Sequence, residues 1–154
     1  MMGDKKKAIE RARKGKPIHQ VAALPFKIAG DGNVLVMLVT SRETRRLTLP
    51  KGWRMKGKSD RQAAAIEARQ EAGVKGRMLK RSPGSYRYWK RLPNAFVRIE
   101  VNVYLLAVEE EEKRWQEKLE RTRAWLSPED AALLVDEPEL GTLLKSLDMT
   151  ALSS

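Results

Sequence analysis

Glu67, Gln70 and Glu71 stand at i, i+3 and i+4, a spacing that puts their side chains on one face of a helix. Two carboxylates and an amide gathered in this way offer oxygen ligands to a hard cation such as Mg²⁺. Immediately upstream runs a basic loop, Lys51 to Lys58, punctuated by Gly52 and Gly57 after Pro50. Lysine and arginine next to a cation site suit phosphate oxygens. The same spacing also fits an ordinary amphipathic helix with a solvated charged face.

The surrounding residues specify the helix that must hold these groups. Ser59 with Gln62 three residues on has the spacing of a capping box. A run of alanines favours the helical body. Gly73 supplies a left-handed stop. Ala65, Ala68 and Ala72 are expected to form a second face, small enough to press close against a sheet.

The order of residues in 52–74 is similar to the Nudix box, Gly-x5-Glu-x7-Arg-Glu-U-x-Glu-Glu-x-Gly-U, where U is aliphatic. Gly52, Glu67, Glu71, Gly73 and Val74 fall on its fixed positions without a gap, and Leu49-Pro-Lys-Gly recurs in the family. Three positions depart: Lys58 and Gln70 replace glutamates, and Ile66 replaces the arginine. The likeness extends over about residues 18–147. It includes Val21-Ala-Ala-Leu-Pro-Phe at one end and Trp115-Gln-Glu with Arg121-Thr-Arg-Ala-Trp-Leu-Ser-Pro-Glu-Asp-Ala at the other. That tail resembles the diphosphoinositol polyphosphate phosphohydrolase branch and its bacterial relatives.

The resemblance implies an α+β fold, a Nudix α/β/α sandwich with a mixed β-sheet. It implies a pyrophosphohydrolase using Mg²⁺, with Mn²⁺ as an alternative, on a polyphosphorylated small molecule. Dinucleoside polyphosphates and diphosphoinositol polyphosphates are the substrate types expected. Glu67 and Glu71 are then metal ligands, assisted by the amide oxygen of Gln70 and a backbone carbonyl near Lys51–Gly52. Glu67 is the candidate general base. Arg42, Arg45, Arg46, Lys51, Arg54 and Lys56 crowd the approach and are the candidate phosphate ligands, although a solvated loop explains the same charges.

The departures lower the negative charge at the site and remove a hydrogen-bonding partner of Glu67. Losses around a metal's ligands cost about 10–100-fold in affinity or activity. The alternative reading is therefore a weakened Nudix-fold module that binds polyphosphate or RNA 5′ ends. Glu100 and Glu109 to Glu112 are candidates for a compensating acid. Trp53, Tyr86, Tyr88 and Trp89 either stack a base or fill the core.

The rest of the chain bounds these readings. At 154 residues, length points to one domain large enough for a proper core. Cysteine is absent, which excludes disulfides and thiolate metal sites. No apolar run nears the roughly 20 residues needed to span a bilayer. No apolar signal core follows the charged N-terminus, so a cytoplasmic setting without membrane contact is expected. Net charge is +11, from 31 Lys and Arg against 20 Asp and Glu. Such an excess attracts anions, with nucleic acid a less favoured partner than a small polyphosphate.

Residues 1–16 are expected to be a basic flexible arm, 17–148 the Nudix hydrolase domain and 149–154 a loose C-terminus. Within the domain, strands are expected at residues 18–28, with Pro25 marking an edge or bulge, and at 34–40, buried on both faces. Residues 76–92 read as two strands, or one with a turn, broken at Pro83-Gly84. The strand from Phe96 to Val108 turns Val97, Ile99, Val101, Val103 and Leu105 to one side. It turns Arg98, Glu100 and Asn102 towards a wet cleft on the other. His19, the only histidine, reads as a surface residue. Helices are expected from Ser127-Pro128 and from Glu137-Pro138, the second with an apolar stripe of Leu140, Leu143, Leu144 and Leu147.

Overall fold

A computed structural model describes residues 14–148 continuously, with Lys6, Glu10 and Leu152 outside that range. The rest of the expected basic arm and C-terminal tail lies outside the described residues. Leu152 itself is buried against the core.

Eight strands form one mixed sheet: β1 (Ile18–Ile28), β2 (Val34–Thr40), β3 (Leu47–Thr48), β4 (Lys51–Trp53), β5 (Val74–Met78), β6 (Gly84–Leu92), β7 (Ala95–Glu111) and β8 (Arg123–Leu126). The helices are α1 (Asp60–Glu67), continued by a π-helical turn (Ala68–Ala72), α2 (Pro128–Leu134) and α3 (Pro138–Lys145). The central pair, β1 and β7, is parallel from Ile18 opposite Ile99 to Phe26 opposite Ala107. Every other pairing is antiparallel. The architecture is the expected α+β sandwich, a mixed sheet between helices.

Alternation in β7 splits the core in two. Val97, Ile99, Val101, Val103 and Leu105 face α2 and α3, where Leu140, Leu143 and Leu144 close over them. Leu106 faces the other way, with Val21, Ala23, Met37 and Val39, and α1 packs there through Ala63, Ala64, Ala68 and Ala72. Ala65 is only half-buried, so the packing stripe lies one residue away from the expected one. Methyl-sized side chains bring the helix backbone close to the sheet, which fixes how far its glutamates reach.

Two strand expectations are corrected. Pro25 lies in a central strand, opposite Leu106. It is tolerated where the second neighbour of β1 changes, from β4 at Gln20–Ala22 to β2 at Phe26–Ile28. The strand expected to end at Val108 runs further, because β7 continues through Glu111 in register with Val74 of β5.

Candidate active site

The local structure around the glutamates follows from the sequence cues. Ser59 Oγ accepts the Gln62 N–H, and Gln62 Oε1 accepts the Ser59 N–H, completing the capping box. Downstream the ladder widens into the π-turn and stops at Gly73, whose φ of 66° and ψ of 34° are left-handed. Trp115 explains why glycine is needed there. A Cβ on Gly73 would meet its ring at 2.7 Å, while the indole N–H donates to the Glu71 carbonyl at 2.9 Å. A loop residue therefore buttresses the turn that carries Glu71. Single π-turns inside α-helices are frequent at functional sites.

The carboxyl groups of Glu67 and Glu71 lie in hydrogen-bonding contact. Glu71 is buried, and its Oε1 accepts the Lys51 N–H at 3.3 Å. Glu67 lies directly over Gly52, where an added Cβ would stand 2.4 Å from its Oε1. Only glycine leaves room for that carboxylate against β4. Burial, then the hydrogen bond and charge of Glu71, push Glu67 up to about 9. Burial likewise raises Glu71, opposed by its bond to Glu67, by Arg121 and by the Lys51 N–H. Two acids forced together in this way hold a proton between them. The same oxygens would suit a hard divalent cation, which would take the place of a proton and offset both charges.

The acids that the sequence suggested as compensation are engaged elsewhere or exposed. Glu100 pairs loosely with His19, at 3.7 Å. His19 is half-buried, and its Nδ1 lacks a hydrogen bond. Glu110, Glu111 and Glu112 pair with Lys75, Lys27 and Arg69, and Glu109 is exposed. Glu117 comes closer to the pair, and its charge raises both Glu67 and Glu71. Its backbone N–H donates to the Gln70 carbonyl at 3.0 Å. Arg121 spans the group, with Nε 2.8 Å from Glu117, Nη2 3.6 Å from Glu71 and Nη1 donating to the Thr40 carbonyl. Arg121 and Glu117 are one helical turn apart in sequence, but no spacing rule links them to residue 71. Among the described residues, no three His, Asp or Glu side chains are already arranged around a cation position.

The remaining candidates divide. Gln70 is half-buried on the π-turn, and no hydrogen bond holds its amide among the described residues. The Lys51 ammonium sits beside Thr48 Oγ1, at 3.2 Å, and over the Tyr88 ring. Burial lowers its pKa, while Glu137 and Glu71 favour its charge. Arg42 pairs with Glu117 and Glu120, Arg46 with Asp136, and Arg54 with Asp60. Arg45 and Lys56 are exposed, with no ion pair among the described residues. Tyr86 is buried, while Tyr88 and Trp53 are half-buried against the core. Trp89 is instead 67% exposed.

No helix among the described residues is long and apolar enough to cross a membrane. The solved structures with similar folds include a C. elegans Ap4A hydrolase binary complex, with TM-score 0.63, 19% identity, and 83% of this chain and 93% of that one covered. Another is the NUDIX domain of Shewanella oneidensis NrtR complexed with ADP ribose, with TM-score 0.62, 14% identity, and 84% and 87% covered. At these identities the likeness is one of fold. In sequence, Nudix hydrolase 16, mitochondrial, of Arabidopsis thaliana is 32% identical over 123 residues, covering 70% of this chain and 67% of the relative. Nudix hydrolase 18, mitochondrial, of the same plant is 29% identical over 128 residues, covering 79% and 70%. The family model for the NUDIX domain matches residues 18–147, and with the box helix built as above the chain belongs to the Nudix family, as a pyrophosphohydrolase.

Proposed function

We propose that this Nudix hydrolase cleaves a phosphoanhydride bond in a polyphosphorylated small molecule, using Mg²⁺ or, in its place, Mn²⁺. The observation that carries the reading is the contact between the Glu67 and Glu71 carboxyls over Gly52. Glu67 and Glu71 would hold the cation, with the Gly52 carbonyl and the Gln70 amide oxygen as further donors. When bound, it supplies Lewis acidity at the phosphate oxygens and makes water a better nucleophile. Glu67 accepts the proton that leaves the attacking water. Glu117 returns a negative charge to the region where Gln70 stands in place of a glutamate.

The basic residues bind and orient the phosphates. Arg45 and Lys56 take up phosphate without giving up a partner. Arg42, Arg46 and Arg54 exchange a carboxylate for a phosphate, which favours a substrate of high charge. Dinucleoside polyphosphates and diphosphoinositol polyphosphates both meet that demand. The Ap4A hydrolase fold relatives support the first type, and the likeness of the 115–131 tail to the diphosphoinositol polyphosphate phosphohydrolase branch supports the second. A cytoplasmic setting stays part of this proposal. Imaging of the tagged full chain tests it against the mitochondrial names of the two plant relatives.

The decisive assay is phosphate-ester product formation from a panel of both substrate types, with Mg²⁺, Mn²⁺ or EDTA. Metal-dependent turnover that falls at least about 100-fold in Glu67→Gln and Glu71→Gln is expected. Turnover no higher than in those variants sinks the proposal. Tight polyphosphate binding indifferent to EDTA would instead favour the binding module, which the Glu71–Arg121 pair and the substitutions at Lys58, Ile66 and Gln70 also motivate.

A further inference from the structure

Helix α1 covers only part of its sheet face. It packs on Val21, Ala23 and Leu106, leaving the same face of the β6–β7 hairpin without a helix over it among the described residues. That open face carries Arg87, Trp89 and Arg91 from β6, with Phe96, Arg98, Glu100 and Asn102 from β7. Trp89 is 67% and Phe96 68% exposed, although both belong to regular strands. Large exposed aromatics in a rigid sheet signal a binding surface more often than chance.

The register places the two rings together. Trp89 is opposite Arg98 and Phe96 is opposite Arg91, so the aromatics are diagonal neighbours and the arginines occupy the other two corners. Diagonal cross-strand positions lie about 7–8 Å apart, a spacing that an extended chain of stacked bases can match. Arg91 and Arg98 have no ion pair among the described residues. Arg87 is paired with Glu139, and Glu100 lies next to His19. Arg87, Arg91 and Arg98 outnumber Glu100, so the face is net positive, on a protein of net charge +11. Aromatic rings between unpaired arginines are what a base-stacking, phosphate-holding surface needs. A second protein chain would have to bury those unpaired arginines.

We propose that the open β6–β7 face is a binding site for single-stranded nucleic acid, with Trp89 and Phe96 stacking bases and Arg91 and Arg98 holding the backbone. The site is separate from the glutamate pair and does not depend on the hydrolase reading. Tyr104, further along the same face of β7, lies near Arg54, Arg61 and Asp60 at the start of α1.

Fluorescence anisotropy of the full chain with labelled oligo(U) and oligo(dT) in EDTA tests this, with the Glu67→Gln variant run in parallel. Binding of the oligonucleotide by both proteins is expected. Trp89→Ala and Phe96→Ala should each weaken it by on the order of tenfold, and Trp89→Phe should restore most of the loss. Replacing Arg91 and Arg98 by Gln should reduce the salt slope by about 1.4, from two phosphate contacts at about 0.7 each. Thermal melts unchanged from wild type show that these exposed substitutions leave the fold intact. No binding at 100 mM salt, or affinity indifferent to the aromatic variants, overturns the proposal. So does affinity lost only on removing residues 1–16. Sedimentation showing that the variants dissociate a dimer while keeping nucleic-acid affinity would assign the face to a second copy of the chain.

Discussion

Replacing Gly52 by Ala should damage the site while leaving the fold almost untouched. The new Cβ would lie 2.4 Å from Glu67 Oε1 and 2.5 Å from its Cδ, against an ordinary contact of about 3.5 Å. The carboxylate must retreat by about 1 Å. Metal–ligand distances tolerate only about 0.2 Å, so Glu67 can no longer share a cation with Glu71 in the same geometry. A misplacement of that size costs about 100-fold in rate. Stability should change little. Glu67 is a flexible side chain, and an off-rotamer position costs about 0.5–1.5 kcal/mol. The Gly→Ala change recovers about 0.4–1 kcal/mol through the unfolded chain, and Gly52 needs no left-handed backbone. Mg²⁺ titrations of hydrolysis and urea melts in EDTA on the same preparation measure both quantities. Wild-type turnover with unchanged Mg²⁺ dependence would refute the placement of Glu67. A loss of stability beyond about 3 kcal/mol would show that the strand, not the carboxylate, had been hit.

The raised proton affinity of Glu67 gives a pH prediction. Its folded value of about 9 lies above the ordinary 4.5, so the native state binds more protons between those limits. The contribution of Glu67 to metal-free stability is therefore fully present below about pH 4.5 and declines as pH rises towards 9. Mg²⁺ should reverse that decline with release of a proton, read by calorimetry in buffers of different ionisation enthalpy. Arg121→Met strips the partner from Glu71 and Glu117, both largely buried. It should cost about 3–5 kcal/mol in urea melts, and a loss below about 1 kcal/mol would mean that the guanidinium holds neither acid. Trp115→Phe removes the indole bond to the Glu71 carbonyl. A stability loss of about 1 kcal/mol is expected, together with weaker Mg²⁺ activation. Ser59→Ala breaks the capping box, for about 1 kcal/mol of stability by thermal melt.

Much of the fold was legible because it is written in local patterns. The alternation of Val97 to Leu105 assigned one face of β7 to the core. The capping box and Gly73 bracketed the box helix, and Pro128 and Pro138 opened the last two helices. Pro25 misled because its edge-strand meaning assumes one continuous neighbour, whereas β1 changes partners along its length. Ala65 misled by one position because a run of alanines has little amphipathic contrast to set the phase.

The sequence by itself determined that Glu67 and Glu71 share a helix face beside Gly52, because that relation is fixed by intervals along a chain. Only the tertiary structure decided what surrounds them. Glu117 and Arg121 arrive from a loop some 50 residues away in sequence, Trp115 braces the π-turn, and acidic partners hold several of the arginines expected to take phosphate. Those meetings depend on strand order and helix packing, and electrostatic neighbours brought together by folding leave no period in the sequence to read.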